Sequence, residues 1–328
     1  MKTAILGDGG WGTTLSILLH RKKHDVALWG AFPDYVEFLK KKRENQKFLP
    51  GIKIPKGLKI TDSLKEAVEG AEVVILAIPS QYMRGILEKL KPLNVKDAVF
   101  VNVAKGIENG TLKRMSEVIV DVLGEVRFAT LSGPSIAREV AIGIPTTVVI
   151  SSYDMALAKE MQEFFRTETL RVYTTNDLIG VELGGSLKNI IAIVAGINDG
   201  LGFGANSKAS ILTRGLVEIT RLGVAMGAKK ETFSGLSGIG DLVTTCISPY
   251  GRNRWFGEEI GKGKKLSEIQ KETEMVVEGV ATAKSAYELA KKYKVDMPIT
   301  EQVYNILYHN KNPKEAVVEL MSRQQKAE

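Results

Sequence analysis

Gly7-Asp8-Gly9-Gly10-Trp11-Gly12 follows the short apolar run Thr3–Leu6 and precedes a helix-like stretch, Thr13 to Arg21. A second apolar run, Val26–Trp29, comes next. Strand, glycine-rich turn, helix and strand in this order form the setting in which G-x-G-x-x-G binds a dinucleotide. One glycine gives the tight turn, the second lets the backbone approach a pyrophosphate, and the third lets helix pack on sheet. The free N–H groups and positive end of the helix then face the phosphates. A structural turn without ligand is the plainer alternative, and the flanking elements favour the dinucleotide.

Outward from this stretch the first half alternates. Strand-like runs recur at Val73–Ile78, Val99–Val103, Arg127–Leu131 and Thr146–Ile150. Val73–Ile78 is apolar throughout, as a strand covered on both faces must be. This alternation predicts a Rossmann-like, doubly wound, mostly parallel sheet of the α/β class. From Asn176-Asp177, which reads as a helix cap, the pattern turns helical. Apolar stripes at helical spacing run over Leu178–Ile197, Ile211–Met226, Val280–Tyr293 and Thr300–Tyr308, and Pro298 and Pro313 stand at helix starts. The expected organisation is a dinucleotide-binding domain over 1–176 and an all-helical substrate-binding and catalytic domain over 177–328.

Composition narrows the partners. Lys plus Arg number 45 against 38 Asp plus Glu, a net charge of +7 spread along 328 residues. The densest basic run, Lys40–Arg43, is short and lacks interleaved aromatics, so a small anionic substrate fits better than nucleic acid. Cys246 is the single cysteine, which excludes an internal disulfide and a cysteine-built metal cluster. The first strand begins almost at once, so no signal peptide is expected. No apolar run is expected to reach the ~20 residues of a membrane span. A cytoplasmic protein is the expectation.

Ligands of open α/β sheets lie beyond the carboxyl ends of the strands. Small or polar residues stand there: Pro79-Ser80-Gln81, Ala104-Lys105-Gly106 and Ser132-Gly133-Pro134-Ser135. Lys188 has Gly184, Gly185, Ile191 and Ala192 as its helical neighbours. Either it snorkels from the helix edge, or burial and a nearby cation such as Lys105 make it a usable general base. Asp241 follows a glycine-rich approach to a helix and reads as an N-cap or as a partner for a substrate hydroxyl or a lysine. Gly251-Arg252-Asn253 offers a guanidinium fork suited to phosphate oxygens. His20, His24 and His309 fall at no strand end and no metal-site spacing is present, so neither a histidine acid–base pair nor a metal is expected.

Taken in order, these segments, together with Val103–Glu108, Leu131–Ser135, Glu182–Asn189, Gly238–Leu242 and Val277–Val280, closely resemble the bacterial-type NAD(P)-dependent glycerol-3-phosphate dehydrogenases from end to end. The resemblance implies hydride exchange between a nicotinamide and carbon 2 of sn-glycerol 3-phosphate, giving dihydroxyacetone phosphate, with NAD or NADP as cofactor. It implies Lys188 as proton acceptor, and Lys105, Gly133, Ser135, Lys188, Asp241, Gly251, Arg252 and Asn253 at the substrate. It places Gly7, Gly9, Gly10, Trp11, Gly12, Lys105, Ala137, Arg252, Val276 and Glu278 at the dinucleotide. A homodimer and a role in supplying glycerol 3-phosphate for phospholipid synthesis are further implications.

Two positions depart from that pattern. Ala31 stands where the family usually carries a basic residue able to meet a 2′-phosphate, and no acidic residue follows the second strand closely, so the choice of NAD or NADP stays open. Gly251 replaces a common serine; backbone N–H contacts are expected to survive there. Two other readings stand beside the main one. One is a hydroxyacid dehydrogenase with a helical second domain, and the other is a nicotinamide-binding sensor without turnover.

Overall fold

The computed structural model describes residues 1–93, 95–273 and 275–325. The chain divides into two compact units, 1–105 with 113–182, and 106–112 with 183–328.

The first unit holds an eight-stranded sheet in the order β3-β2-β1-β4-β5-β6-β7-β8. The strands are β1 Lys2–Leu6, β2 Asp25–Trp29, β3 Lys59–Thr61, β4 Val73–Leu76, β5 Val99–Asn102, β6 Phe128–Ser132, β7 Thr146–Ser151 and β8 Leu170–Thr175. All pairings are parallel except β6 with β7. Alternate residues of the central strands feed opposite faces. Ile5, Ile75 and Val101 join one buried cluster, while Ala4, Leu6, Val74, Leu76 and Phe100 join the other. A strand covered twice has no polar face, hence the unbroken apolar run in β4. Strand order reverses between β1 and β4, which makes the carboxyl end of β1 the switch point where such sheets bind ligands.

Two strands lie outside the runs expected from sequence. β3 is three residues long, and β8 alternates buried and exposed residues over Leu170–Tyr173 instead of being apolar throughout. Both are sheet edges. An edge strand needs only one covered side, so its hydrophobic signal is halved.

The second unit is helical, as expected. Its main helices are Leu178–Gly200 (entered from the first unit), Ala205–Ala225, Asp241–Ile247, Arg252–Gly261, Glu278–Tyr293, Pro298–His309 and Pro313–Met321. Asp177 caps the first of these, its Oδ1 accepting from the Gly180 N–H at 3.0 Å. Pro298 and Pro313 occupy first helical positions. One expectation needs correcting. Leu178–Gly200 is long and apolar enough to cross a membrane, with a mean hydropathy of 1.6 in its most apolar stretch. That stretch is 89% buried within the protein, which makes it a core helix.

Candidate active site

The fingerprint turns where the fold requires it. Gly7 has φ +120°, and a Cβ there would fall 2.4 Å from the Ala77 carbonyl oxygen at the end of β4. A Cβ on Gly12 would fall 1.9 Å from the Gly7 carbonyl oxygen, so only glycine lets the helix start this close to the turn. The helix Gly10–Arg21 begins with no side-chain cap and no acidic residue in its first turn. A Cβ at Gly9 would meet nothing within 4 Å. An uncapped helix N-terminus with open space before it fits a pyrophosphate, which would lie against the amides of Gly10, Trp11 and Gly12. Trp11 is half-buried against the core, and Ala137 accepts the Thr14 hydroxyl at its carbonyl, 3.0 Å away. Asn45 braces the turn, donating to the Asp8 carbonyl and to Thr13 Oγ1, both at 2.7 Å.

Also in the first unit, Lys105 reaches from the segment after β5 to the Gly133 carbonyl, Nζ to O 3.0 Å. The Ser135 hydroxyl donates to the same oxygen at 3.0 Å. The two predicted substrate residues and Gly133 thus form one knot. Further along, Glu182 is buried with Arg114: Nη1 lies 2.6 Å from Oε2, while the Ser116 N–H and hydroxyl donate at 2.8 and 2.6 Å. Burial raises the Glu182 pKa against the pull of Arg114 and Ser116. Both Glu182 oxygens accept hydrogen bonds, and the pair ties residues 114–116 to the 178–182 stretch within the first unit.

In the second unit Lys188 does not snorkel. It is 6% exposed, and its Nζ lies 2.8 Å from Oδ1 of Asp241, which is 2% exposed. Thr245, one turn beyond Asp241, accepts from the same ammonium. Asp241 is not a cap. Gly240 holds the cap position, and Asp241, the first residue of its helix, meets Lys188. An irregular turn at Leu236–Gly240, with Gly238 at φ −94° and ψ −107°, leads into it. The glycine-rich approach therefore serves to deliver this carboxylate to a lysine 53 residues earlier in sequence. Thr245 was missed, although its place four residues after Asp241 puts both on one helix face.

The Gly251–Asn253 segment opens the helix Arg252–Gly261. Arg252 is exposed and its Nη1 donates to the Val276 carbonyl at 3.1 Å, which joins two predicted cofactor residues. Asn253 is buried and doubly used: Nδ2 donates to Asn189 Oδ1 and Oδ1 accepts from the Gly279 N–H, both at 2.9 Å. The Gly251 N–H is held by the Ser248 carbonyl at 3.2 Å, so the amides open to a ligand belong to the helix start beyond it. Glu278 is the first residue of the helix Glu278–Tyr293. Cys246 is buried, and burial pushes its thiol up to about 12, which makes it inert. Among the described residues no cluster of His, Cys, Asp and Glu could hold a metal ion.

A glycine fingerprint at a switch point and a buried lysine make chemical sense together in the dinucleotide-dependent oxidoreductases. Comparison with known proteins narrows this class. Residues 2–158 match the family model for the N-terminal domain of NAD-dependent glycerol-3-phosphate dehydrogenase, and residues 177–318 match that for its C-terminal domain. The chain belongs to this family, an NAD(P)-dependent oxidoreductase family. It is 51% identical to glycerol-3-phosphate dehydrogenase [NAD(P)+] of Citrifermentans bemidjiense, covering 100% of this chain and 98% of the relative. It is 49% identical to the enzyme of the same name from Fusobacterium nucleatum, with 100% and 98% coverage. The crystal structure of glycerol-3-phosphate dehydrogenase from Coxiella burnetii superposes with a TM-score of 0.94 at 39% identity, covering 98% of each chain.

Proposed function

We propose that this protein interconverts sn-glycerol 3-phosphate and dihydroxyacetone phosphate with NAD(P), residues 1–176 holding the dinucleotide and 177–328 supplying the catalytic lysine. The observation that carries the reading is the buried Lys188–Asp241–Thr245 cluster in a chain of this family. When bound, the nicotinamide supplies the hydride acceptor or donor. Lys188 manages the proton at the C2 oxygen. A carboxylate 2.8 Å away favours the ammonium, the form needed to protonate the oxygen as the ketone is reduced. In the oxidising direction the same Nζ takes the hydroxyl proton. Asp241 positions the amine, and a cationic pocket stabilises alkoxide character in the transition state.

Lys105, Gly133, Ser135, Gly251, Arg252 and Asn253 hold the substrate in this reading, with Arg252 suited to the phosphate. Gly7, Gly9, Gly10, Trp11, Gly12, Lys105, Ala137, Arg252, Val276 and Glu278 serve the dinucleotide. A homodimer in the cytoplasm, supplying glycerol 3-phosphate for phospholipid synthesis, is the setting we propose from family membership. The test follows nicotinamide absorbance with dihydroxyacetone phosphate for the parent and for Lys188→Ala. Turnover is expected to fall by ~10²–10⁴ while cofactor affinity is kept. Near-parental turnover in the variant removes Lys188 from the mechanism, and an inactive parent removes the substrate assignment.

A further inference from the structure

Where a dinucleotide fold selects NAD, an acidic side chain just past the second strand accepts a hydrogen bond from the adenosine ribose 2′-hydroxyl. Here β2 ends at Trp29 and runs into Gly30, Ala31 and Phe32, none of them acidic. The structure brings a carboxylate to that place by another route. A Cβ built on Gly30 would lie 2.4 Å from Asp8 Oδ2 and 2.8 Å from Asp8 Cγ. The Asp8 carboxylate thus stands where a side chain at residue 30 would begin. Gly30 has no side chain to displace it, and Val36 on the following helix would be 2.7 Å from the same Cβ.

Two observations set Asp8 apart from an ordinary loop aspartate. Its Oδ2 is buried and accepts no hydrogen bond among the described residues. A buried acceptor left without a donor is costly, and such groups in native proteins have a reason. Its backbone is also fixed, because Asn45 holds the Asp8 carbonyl and is itself held by the Tyr35 hydroxyl, each at 2.7 Å. One carboxylate oxygen, Oδ2, is therefore left without a donor among the described residues, between two glycines of the phosphate-binding turn and the end of β2.

We propose that Asp8 is the residue that selects NAD over NADP, its carboxylate accepting the adenosine ribose 2′-hydroxyl and repelling a 2′-phosphate. The cations nearby do not reverse this. Lys40 is paired with Glu37 at 2.7 Å, and Arg43 donates to the Pro55 and Leu58 carbonyls. Lys47 is the basic residue whose field reaches Asp8, and its Nζ lies over the rings of Tyr35 and Phe48 at 5.8 and 5.3 Å. One lysine does not offset a phosphate of about −2 charge set against a carboxylate in a partly buried pocket. Burial also raises the Asp8 pKa against the pull of its own amide and of Lys47, a shift that a donated hydroxyl would reverse.

The inference rests on dinucleotide binding by the first unit, and a binding experiment separates the two. Quenching of tryptophan fluorescence by NADH, NADPH, ADP-ribose and its 2′-phosphate is measured without substrate on the parent, Asp8→Asn and Asp8→Ala. The parent should prefer NADH over NADPH by ~10- to 100-fold, the range of one charge-assisted hydrogen bond plus a like-charge clash. ADP-ribose should be preferred over its 2′-phosphate to the same degree, which puts the discrimination at the adenosine end. In Asp8→Asn, which keeps the shape, NADH should weaken about tenfold and NADPH should tighten, so that the ratio collapses toward one. Asp8→Ala should act in the same sense. Equal binding of both cofactors by the parent overturns the proposal, as does an unchanged ratio in a folded Asp8→Asn. Binding of neither cofactor removes the dinucleotide reading and this inference with it.

Discussion

Asp8 in the sheet unit and Glu218 in the helical unit are both acids whose pKa burial raises, yet they live in opposite surroundings. Glu218, pushed up to about 7, accepts from the Ile299 and Thr300 N–H groups and the Thr300 hydroxyl at 2.6, 3.0 and 3.0 Å. It closes the open amides at the start of the helix Pro298–His309, as a capping group from a distant part of the chain. Asp8 Oδ2 accepts no hydrogen bond among the described residues. Glu182 belongs with Glu218, since Arg114 and Ser116 satisfy it fully. A buried acid surrounded by donors holds the fold together. One with a buried oxygen left without a donor costs stability, and its use lies in what it binds.

Three measurements test that contrast. The largest effect is expected at Glu182. Glu182→Gln leaves the buried Arg114 guanidinium with only the more exposed Glu117, 3.3 Å away, as counter-charge and should cost about 3 kcal/mol in denaturant unfolding. A loss within ~0.5 kcal/mol would mean the pair holds nothing. Glu218 comes next, through pH. Its folded pKa, about 7, lies above the ordinary 4.5, so between those values the native state binds the proton more tightly than the unfolded chain. Stability from this group is therefore greatest at low pH and is lost as pH rises through 7, by about 1–3 kcal/mol. Glu218→Gln should remove that slope from thermal melts taken across the window, and a slope that persists assigns it elsewhere. Asp8→Asn should have the smallest effect, leaving Tm unchanged or slightly raised because an unmatched charge is removed. A fall like that of Glu182→Gln would place Asp8 among the structural acids.

The same contrast explains what the sequence disclosed. Continuous apolar runs such as Val73–Leu76 announce a strand covered on both faces, and the glycines of the fingerprint announce the turn. β8 was hidden because an edge strand alternates. The antiparallel step at β7 was hidden because strand direction leaves no mark on composition. At the candidate site, residue types and order were legible through the resemblance, while pairings were not. Nothing near Lys188 in sequence announces Asp241, and an apolar helix face around a lysine reads equally well as an edge. The Asp8 side chain was overlooked because the glycines around it carry the motif. Its value depends on Gly30, a neighbour only after β1 and β2 pair.

The segment Gly106–Leu112 belongs to the helical unit although the chain on both sides of it belongs to the sheet unit. There the Ser285 hydroxyl donates to the Ile107 carbonyl and to Asn109. The protein therefore has no single seam. A chimera that grafts the front half of one relative onto the back half of another, joined anywhere near residue 180, would import a foreign 106–112 beneath a native Ser285. A working hybrid must carry that short stretch across with the helices it serves, as a tailor moves the lining with the sleeve.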